Sequence, residues 1–151
     1  MVAVEPVVIL GPGEGEHLPV GGSSALLKAT GESTAGTLFV SESTIEPGFP
    51  GPPPHVHRRL HDMFYVLEGT LTFHLANGTR EAPPGTFVCV PPGTVHTFSN
   101  PSAAPVRFLN LNTPAGFEEY MRDLAAAFTS GRTPTQEEIG AIASRHDVEL
   151  A

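Results

Sequence analysis

The sequence predicts a small, mainly β domain, a barrel or sandwich of short strands followed by two short helices. Three observations predict it. Glycine and proline are frequent, 16 of each in 151 residues, and they punctuate short apolar runs instead of clustering. Between residues 63 and 111, β-patterned runs alternate with turn signals at near-regular spacing. From Thr113 onward the apolar period changes from that of a strand to that of a helix.

Taken in order, residues 7–10 form the first strand candidate, broken by Gly11-Pro12-Gly13. Runs at 25–27 and 37–40 follow, separated by the turn-like Thr30-Gly31-Glu32-Ser33. Residues 47–54 (Pro-Gly-Phe-Pro-Gly-Pro-Pro-Pro) suit neither a helix nor a central strand, and they fix the entry of His55. Residues 63–67 form a strand closed by Glu68-Gly69. In 70–75, Leu71, Phe73 and Leu75 alternate with Thr70, Thr72 and His74, the pattern of a half-buried strand. Asn77-Gly78 is a hairpin turn signal. Turns at Pro83-Pro84-Gly85 and Pro91-Pro92-Gly93 then separate strands at 87–90, 95–98 and 106–111.

Thr113-Pro114 is a helix start, and Phe117, Met121, Leu124 and Phe128 share one helical face up to Gly131. Thr133-Pro134-Thr135-Gln136 opens a second helix, with Gln136 placed for a capping box and Ile139, Ile142 and Ala143 as its stripe. The division is therefore a β-barrel over 1–112 and a helical extension over 113–151, packed on a barrel face or a subunit contact.

Composition excludes several classes. The net charge is −8 with eight Lys and Arg scattered along the chain, which makes no basic face for nucleic acid. No apolar run is long enough to span a membrane, and the N-terminus lacks the pattern of a secretory signal, so a cytoplasmic location is expected. The single cysteine, Cys89, has no internal disulfide partner and lies in an apolar run, where a buried, inert thiol is expected.

Seven histidines are present, and three stand in a chemical pattern. His55 and His57 are two apart, so a strand would turn both rings to one face. Asp62 shares a face with Phe64 and Val66 if 63–67 is the returning strand, and His96 opens a later strand beside Phe98. His61 competes with Asp62 as a fourth ligand. His17, His74 and His146 have no partner in the pattern, and Arg58 and Arg59 read as solvated. A lone His-x-His is as consistent with ordinary packed or surface histidines as with a metal site.

The surroundings make the pattern specific, for they resemble the two motifs of the cupin superfamily. The first motif is a glycine and spacer, then His-x-His, three or four residues, Glu, six residues and Gly. Here His55-Val56-His57 is followed after four residues by Asp62 and after six more by Gly69. The second, Gly-x5-Pro-x-Gly-x2-His-x3-Asn, is matched at every spacing by Gly85, Pro91, Gly93, His96 and Asn100. There are two departures. Phe49 occupies the place of the leading glycine, flanked by Gly48 and Gly51, and Asp62 stands where the family has glutamate. Aspartate is one methylene shorter, so it would ligate directly, act through water or leave that position open.

The resemblance implies a double-stranded β-helix, or jelly-roll, barrel with one divalent transition metal ion (Fe, Mn, Ni, Co, Cu or Zn) held by His55, His57, Asp62 and His96. It also implies a homodimer and a small-molecule substrate. Within the superfamily the chain is similar to single-domain, quercetin-dioxygenase-like members, on Phe64-Tyr65-Val66-Leu67-Glu68-Gly69, the second motif, and Thr113-Pro114-Ala115-Gly116-Phe117-Glu118. That implies a dioxygenase of enolic or aromatic substrates with Asp62 as ligand and catalytic base. Inward residues such as Phe64, Val66, Leu71, Phe73 and Phe98 would line an apolar cavity, although for most of them plain barrel core is the first expectation. A non-redox isomerase or cyclase, and a non-catalytic metal or small-molecule binding module, stand as alternatives.

Overall fold

The structure, a computed structural model, describes residues 4–129 and 131–151. In chain order the elements are β1 (Glu16–Val20), β2 (Ser23–Ala29), the one-turn helix α1 (Gly31–Thr34), β3 (Phe39–Ile45), β4 (His55–Val56) and β5 (His61–Glu68). β6 (Leu71–Leu75), β7 (Gly78–Ala82), β8 (Phe87–Val90), β9 (His96–Ser99) and β10 (Val106–Thr113) follow. The chain ends with α2 (Phe117–Phe128), α3 (Gln136–Ala143) and β11 (Glu149–Leu150).

The strands form two antiparallel sheets, ordered β1-β2-β3-β10-β5-β8 and β11-β4-β9-β6-β7. From β3 to β10 the chain passes repeatedly from one sheet to the other, which is the jelly-roll pattern, although the two sheets are not joined into a closed barrel. Period-two patterning explains the layering. In β5 the inward Asp62, Phe64 and Val66 are buried while Tyr65 is exposed. Val106, Phe108, Asn110 and Asn112 occupy one face of β10 by the same alternation.

Ile45, Phe64, Val66, Val106 and Phe108 from one sheet meet Leu71, Phe73 and Ala82 from the other in a single core. Phe64 lies edge-on to Phe73 at 5.0 Å and to Phe98 at 5.6 Å. Burying each such ring contributes about 1.5–3 kcal/mol, and each aromatic pair adds about 0.5–1.5 kcal/mol. α2 and α3 pack through Tyr120, Leu124, Ile142 and Ala143 together with Val148. Phe117 and Met121 of α2 cover Ala25, Leu27 and Phe39 on β2 and β3.

Four local expectations are corrected. Residues 7–10 are extended but carry no sheet pairing, and Val7 and Ile9 are exposed. The pairing falls instead to β1, whose edge position tolerates Pro19. α2 begins at Phe117, not Thr113, because Thr113 remains in the ladder opposite His61. The buried Glu118 carboxylate then accepts from the N–H groups of Gly116 at 2.8 Å and Gly31 at 2.7 Å.

The capping box of α3 pairs Thr135 with Glu138, two residues later than the Thr133–Gln136 pairing expected. Cys89 is exposed. It lies on β8, an edge strand whose outer face is uncovered, so the apolar run around it did not signify burial.

Candidate metal centre

The proline-rich loop sets the first two histidines. Gly51 has φ +94°, and a Cβ there would fall 1.9 Å from the Phe98 carbonyl oxygen, so only glycine lets the loop lie against β9. The Thr97 hydroxyl donates to the Pro52 carbonyl at 2.6 Å and fixes that contact. β4 is then aligned with β9, and His55 stands directly opposite His96. The strand alternation brings His57 to the same side. The His55–His96, His55–His57 and His57–His96 ring centroids are 4.5, 4.9 and 5.4 Å apart.

Asp62 enters from β5 in the opposite sheet. One ligand atom from each of His55, His57, Asp62 and His96 lies within 4.8 Å of all the others, and all four residues are buried. Asp62 Oδ2 is 3.0 Å from His96 Nε2 and 3.4 Å from His57 Nε2. His61 projects to the exposed side of β5, away from this group.

Backbone carbonyls decide which nitrogen of each ring faces inward. Nδ1 donates to Pro53 O at 2.9 Å from His55, to Asp147 O at 2.7 Å from His57, and to Thr94 O at 3.0 Å from His96. With the proton on Nδ1, each neutral ring turns a bare Nε2 lone pair toward Asp62. Lone pairs facing a carboxylate repel unless a cation or proton lies between them. His57 Nε2 is buried with no hydrogen-bond partner. A donor set of three imidazole nitrogens and one carboxylate oxygen fits a divalent transition metal.

The electrostatics agree. Burial alone would raise the Asp62 carboxyl, but the close approach and charge of the His57 and His96 rings outweigh it and hold the group below the usual carboxylate range. Burial pushes His55 down to about 4, against the hydrogen bond to Pro53. Burial would also lower His57, yet its contacts with Asp62 raise it above the ordinary histidine value.

Three supporting residues were not anticipated from the sequence. Asn110 and Asn112 of β10 each donate from Nδ2 to Asp62 Oδ1 at 2.8 Å, leaving Oδ2 to face the imidazoles. Their signal was polar side chains on the inward face of an otherwise apolar strand. Asp147 holds His57 through its carbonyl, while its carboxylate accepts from the N–H groups of Arg58, Arg59 and Leu60 at 2.8, 3.0 and 3.1 Å. No local signal near Asp147 announced that role.

A cavity of about 530 Å³ opens onto His55 and Asp62. Phe64, Phe98 and Phe108 line it from the sheets, and Tyr120 and Met121 from α2. Among the described residues, its lining includes no lysine or arginine. Of the inward residues singled out, Phe64 and Phe98 reach the cavity, while Val66, Leu71 and Phe73 pack within the core, the first expectation for most of them. Arg58 and Arg59 are exposed, and Arg58 pairs with Glu149. His17 is exposed, His74 Nε2 bonds Ser99 Oγ at 2.7 Å, and His146 bonds Asp123 at 2.8 Å.

Residues 41–112 match the family model described as a cupin domain. Quercetin 2,3-dioxygenase from Bacillus subtilis (strain 168) is 29% identical over 121 residues, covering 77% of this chain and 34% of that protein. The chain thus spans about a third of that relative's length. A sugar phosphate isomerase from Silicibacter pomeroyi, of a cupin superfamily, superposes with a TM-score of 0.55 at 28% identity, over 61% of this chain and 59% of its own. The polyketide cyclase RemF from Streptomyces resistomycificus gives 0.63 at 21% identity, over 72% and 80% of the two chains. KdgF from Halomonas sp. gives 0.64 at 20%, over 74% and 98%. These last two likenesses are ones of fold.

Proposed function

Because this chain belongs to the cupin superfamily, with its cupin domain over residues 41–112, we propose that it is a metal-dependent enzyme acting on an apolar, enolic or aromatic small molecule, of the quercetinase-like dioxygenase type. One observation carries this reading: three imidazole nitrogens and the Asp62 carboxylate converge, buried, beside a largely apolar cavity that reaches His55 and Asp62. His55, His57, His96 and Asp62 would hold the ion. Bound there, the metal would supply a Lewis acid for a substrate oxygen and open positions for further ligands.

The chain's own residues do the rest. Asn110 and Asn112 fix Asp62 Oδ1, so Oδ2 has a set direction from which to ligate or take a substrate proton. Phe64, Phe98 and Phe108 exclude water from the reacting end and offer ring faces to a flat ligand. A phosphorylated sugar fits poorly, since no cation in the lining would meet its phosphate.

The test is elemental analysis of the purified protein, followed by oxygen-uptake assays with a flavonol after reconstitution with each candidate metal. The expected result is about one ion per chain, lost in His55→Ala/His57→Ala, with oxygen consumption in a redox-active form. Full occupancy in that double variant would overturn the site. Turnover with zinc and no oxygen uptake would move the assignment to a non-redox isomerase or cyclase.

We also assign a homodimer, supported by exposed Val7 and Ile9 on the unpaired N-terminal segment and exposed Phe87 on the edge strand β8. Light scattering showing a monomer at micromolar concentration would refute it.

A further inference from the structure

The cavity wall is mostly apolar; Glu46, Ser23, Ser24, Thr133 and Gln136 also line it, and a further polar strip lies beside the metal-site carboxylate. Ser41 and Ser43 project from β3 into the cavity lining, and Asn110 joins them from β10. The ladder places Ser41 directly opposite Asn110. Both serines are on the same face of β3, two residues apart.

Counting hydrogens shows what this strip offers. Asn110 donates both amide hydrogens, to Asp62 Oδ1 at 2.8 Å and to the Met63 carbonyl at 3.0 Å. Both partners are pure acceptors, so the amide orientation is fixed and Asn110 Oδ1 is left as a free acceptor. Ser41 and Ser43 bond each other at 2.9 Å. Two hydroxyls carry two hydrogens and that bond consumes one. Ser41 is 1% exposed and Ser43 half-buried, and both line the cavity, so the remaining hydroxyl hydrogen of the pair is available to whatever occupies it. A donor left unspent on a mostly apolar wall gains free energy when something in the cavity accepts it.

We propose that Ser41, Ser43 and Asn110 form a specificity subsite that reads a second oxygen function on the ligand, apart from the oxygen directed at the metal. The serine pair donates one hydrogen bond to a ligand carbonyl or hydroxyl oxygen, and Asn110 Oδ1 accepts from a ligand hydroxyl. The ligand class is therefore a flat, uncharged aromatic molecule with hydroxyl or carbonyl groups beyond its metal-binding pair. A purely hydrocarbon body with one chelating end would leave the strip unpaired. This inference rests on the metal-dependent reading above and deepens it.

The test compares two probes on metal-loaded protein by titration calorimetry. 3-Hydroxyflavone carries a metal-binding hydroxy-ketone and no further hydroxyl, whereas quercetin carries that same pair and additional hydroxyls. Wild type is expected to bind quercetin more tightly. In Ser41→Ala/Ser43→Ala that preference should fall roughly three- to tenfold, the worth of one hydrogen bond, with metal content and 3-hydroxyflavone affinity unchanged. Ser43→Ala alone disturbs the core least and should lower the preference in the same direction. An unchanged preference in both variants, with metal retained, overturns the subsite while leaving the metal reading intact. Failure of both probes to bind metal-loaded wild type overturns the reading and the subsite together.

Discussion

The backbone carbonyl of Asp147 accepts a 2.7 Å hydrogen bond from Nδ1 of His57, ninety residues away in sequence. The same residue's carboxylate gathers three consecutive backbone N–H groups of the bend after His57. The tail thus orients an imidazole that the barrel strands alone would leave free to rotate.

Asp147→Ala keeps the carbonyl but releases the bend at Arg58 to Leu60. Metal affinity should fall by about 10–100-fold, the usual effect of losing a group that orients a ligand. Competition with a chromophoric chelator measures it. Wild-type affinity in a folded Asp147→Ala protein would mean that the strand pairing alone fixes His57.

Asp62→Asn preserves shape and the acceptor toward Asn110 and Asn112, but offers an amide where Oδ2 faced the imidazoles. Metal binding should weaken, and turnover should drop at least about 100-fold if Asp62 is the base. A metal-loaded crystal structure decides between the roles. A carboxylate oxygen at about 2.0–2.2 Å from the ion marks a ligand. A much longer distance leaves a three-histidine centre and favours non-redox chemistry.

Acid and base should act on the metal-free protein in opposite senses through two histidines. His55 is lowered from 6.5 to about 4. The unfolded chain therefore binds a proton there that the folded chain refuses, and stability falls as pH drops from 6.5 toward 4. His57 is raised above 6.5. Its contribution is complete below 6.5 and is lost as pH climbs through the raised value. Thermal melts in the presence of chelator should show a maximum near pH 6.5 from this pair. Added metal should remove the alkaline slope, because the ion replaces the His57 proton. An alkaline slope that survives metal loading would contradict this.

Gly51→Ala places a methyl group against the Phe98 carbonyl in a left-handed backbone conformation. The loop must lift from β9, so the cost should be at least about 2 kcal/mol, with loss of metal as His55 leaves His96. Chemical denaturation and metal analysis check the two effects. Gly48 also has positive φ but no atom within 4 Å of the added carbon, so Gly48→Ala should keep the metal.

Much of this architecture was legible because strand alternation is a local property. Spacing alone puts His55 and His57 on one face and aligns Asp62 with Phe64 and Val66. What escaped was decided by contacts distant in sequence. Asn110 and Asn112 acquire meaning only when β10 lies beside β5. Asp147 does so only when β11 pairs with β4, two residues against two. Cys89 looked buried because composition records neighbours along the chain, and β8 has none on its outer side. The start of α2 shifted because Thr113 stays in the ladder opposite His61, a pairing distant in sequence that no capping rule contains.

The pairing of β11 with β4 has a practical corollary. Leu150 lies opposite His55, and the Ala151 N–H donates to the Pro54 carbonyl at 2.9 Å. A polyhistidine affinity tag fused at that end would tether competing imidazoles beside the cluster and pull on the strand that aligns it. Metal titrations therefore call for protein with no histidine tag beside β11.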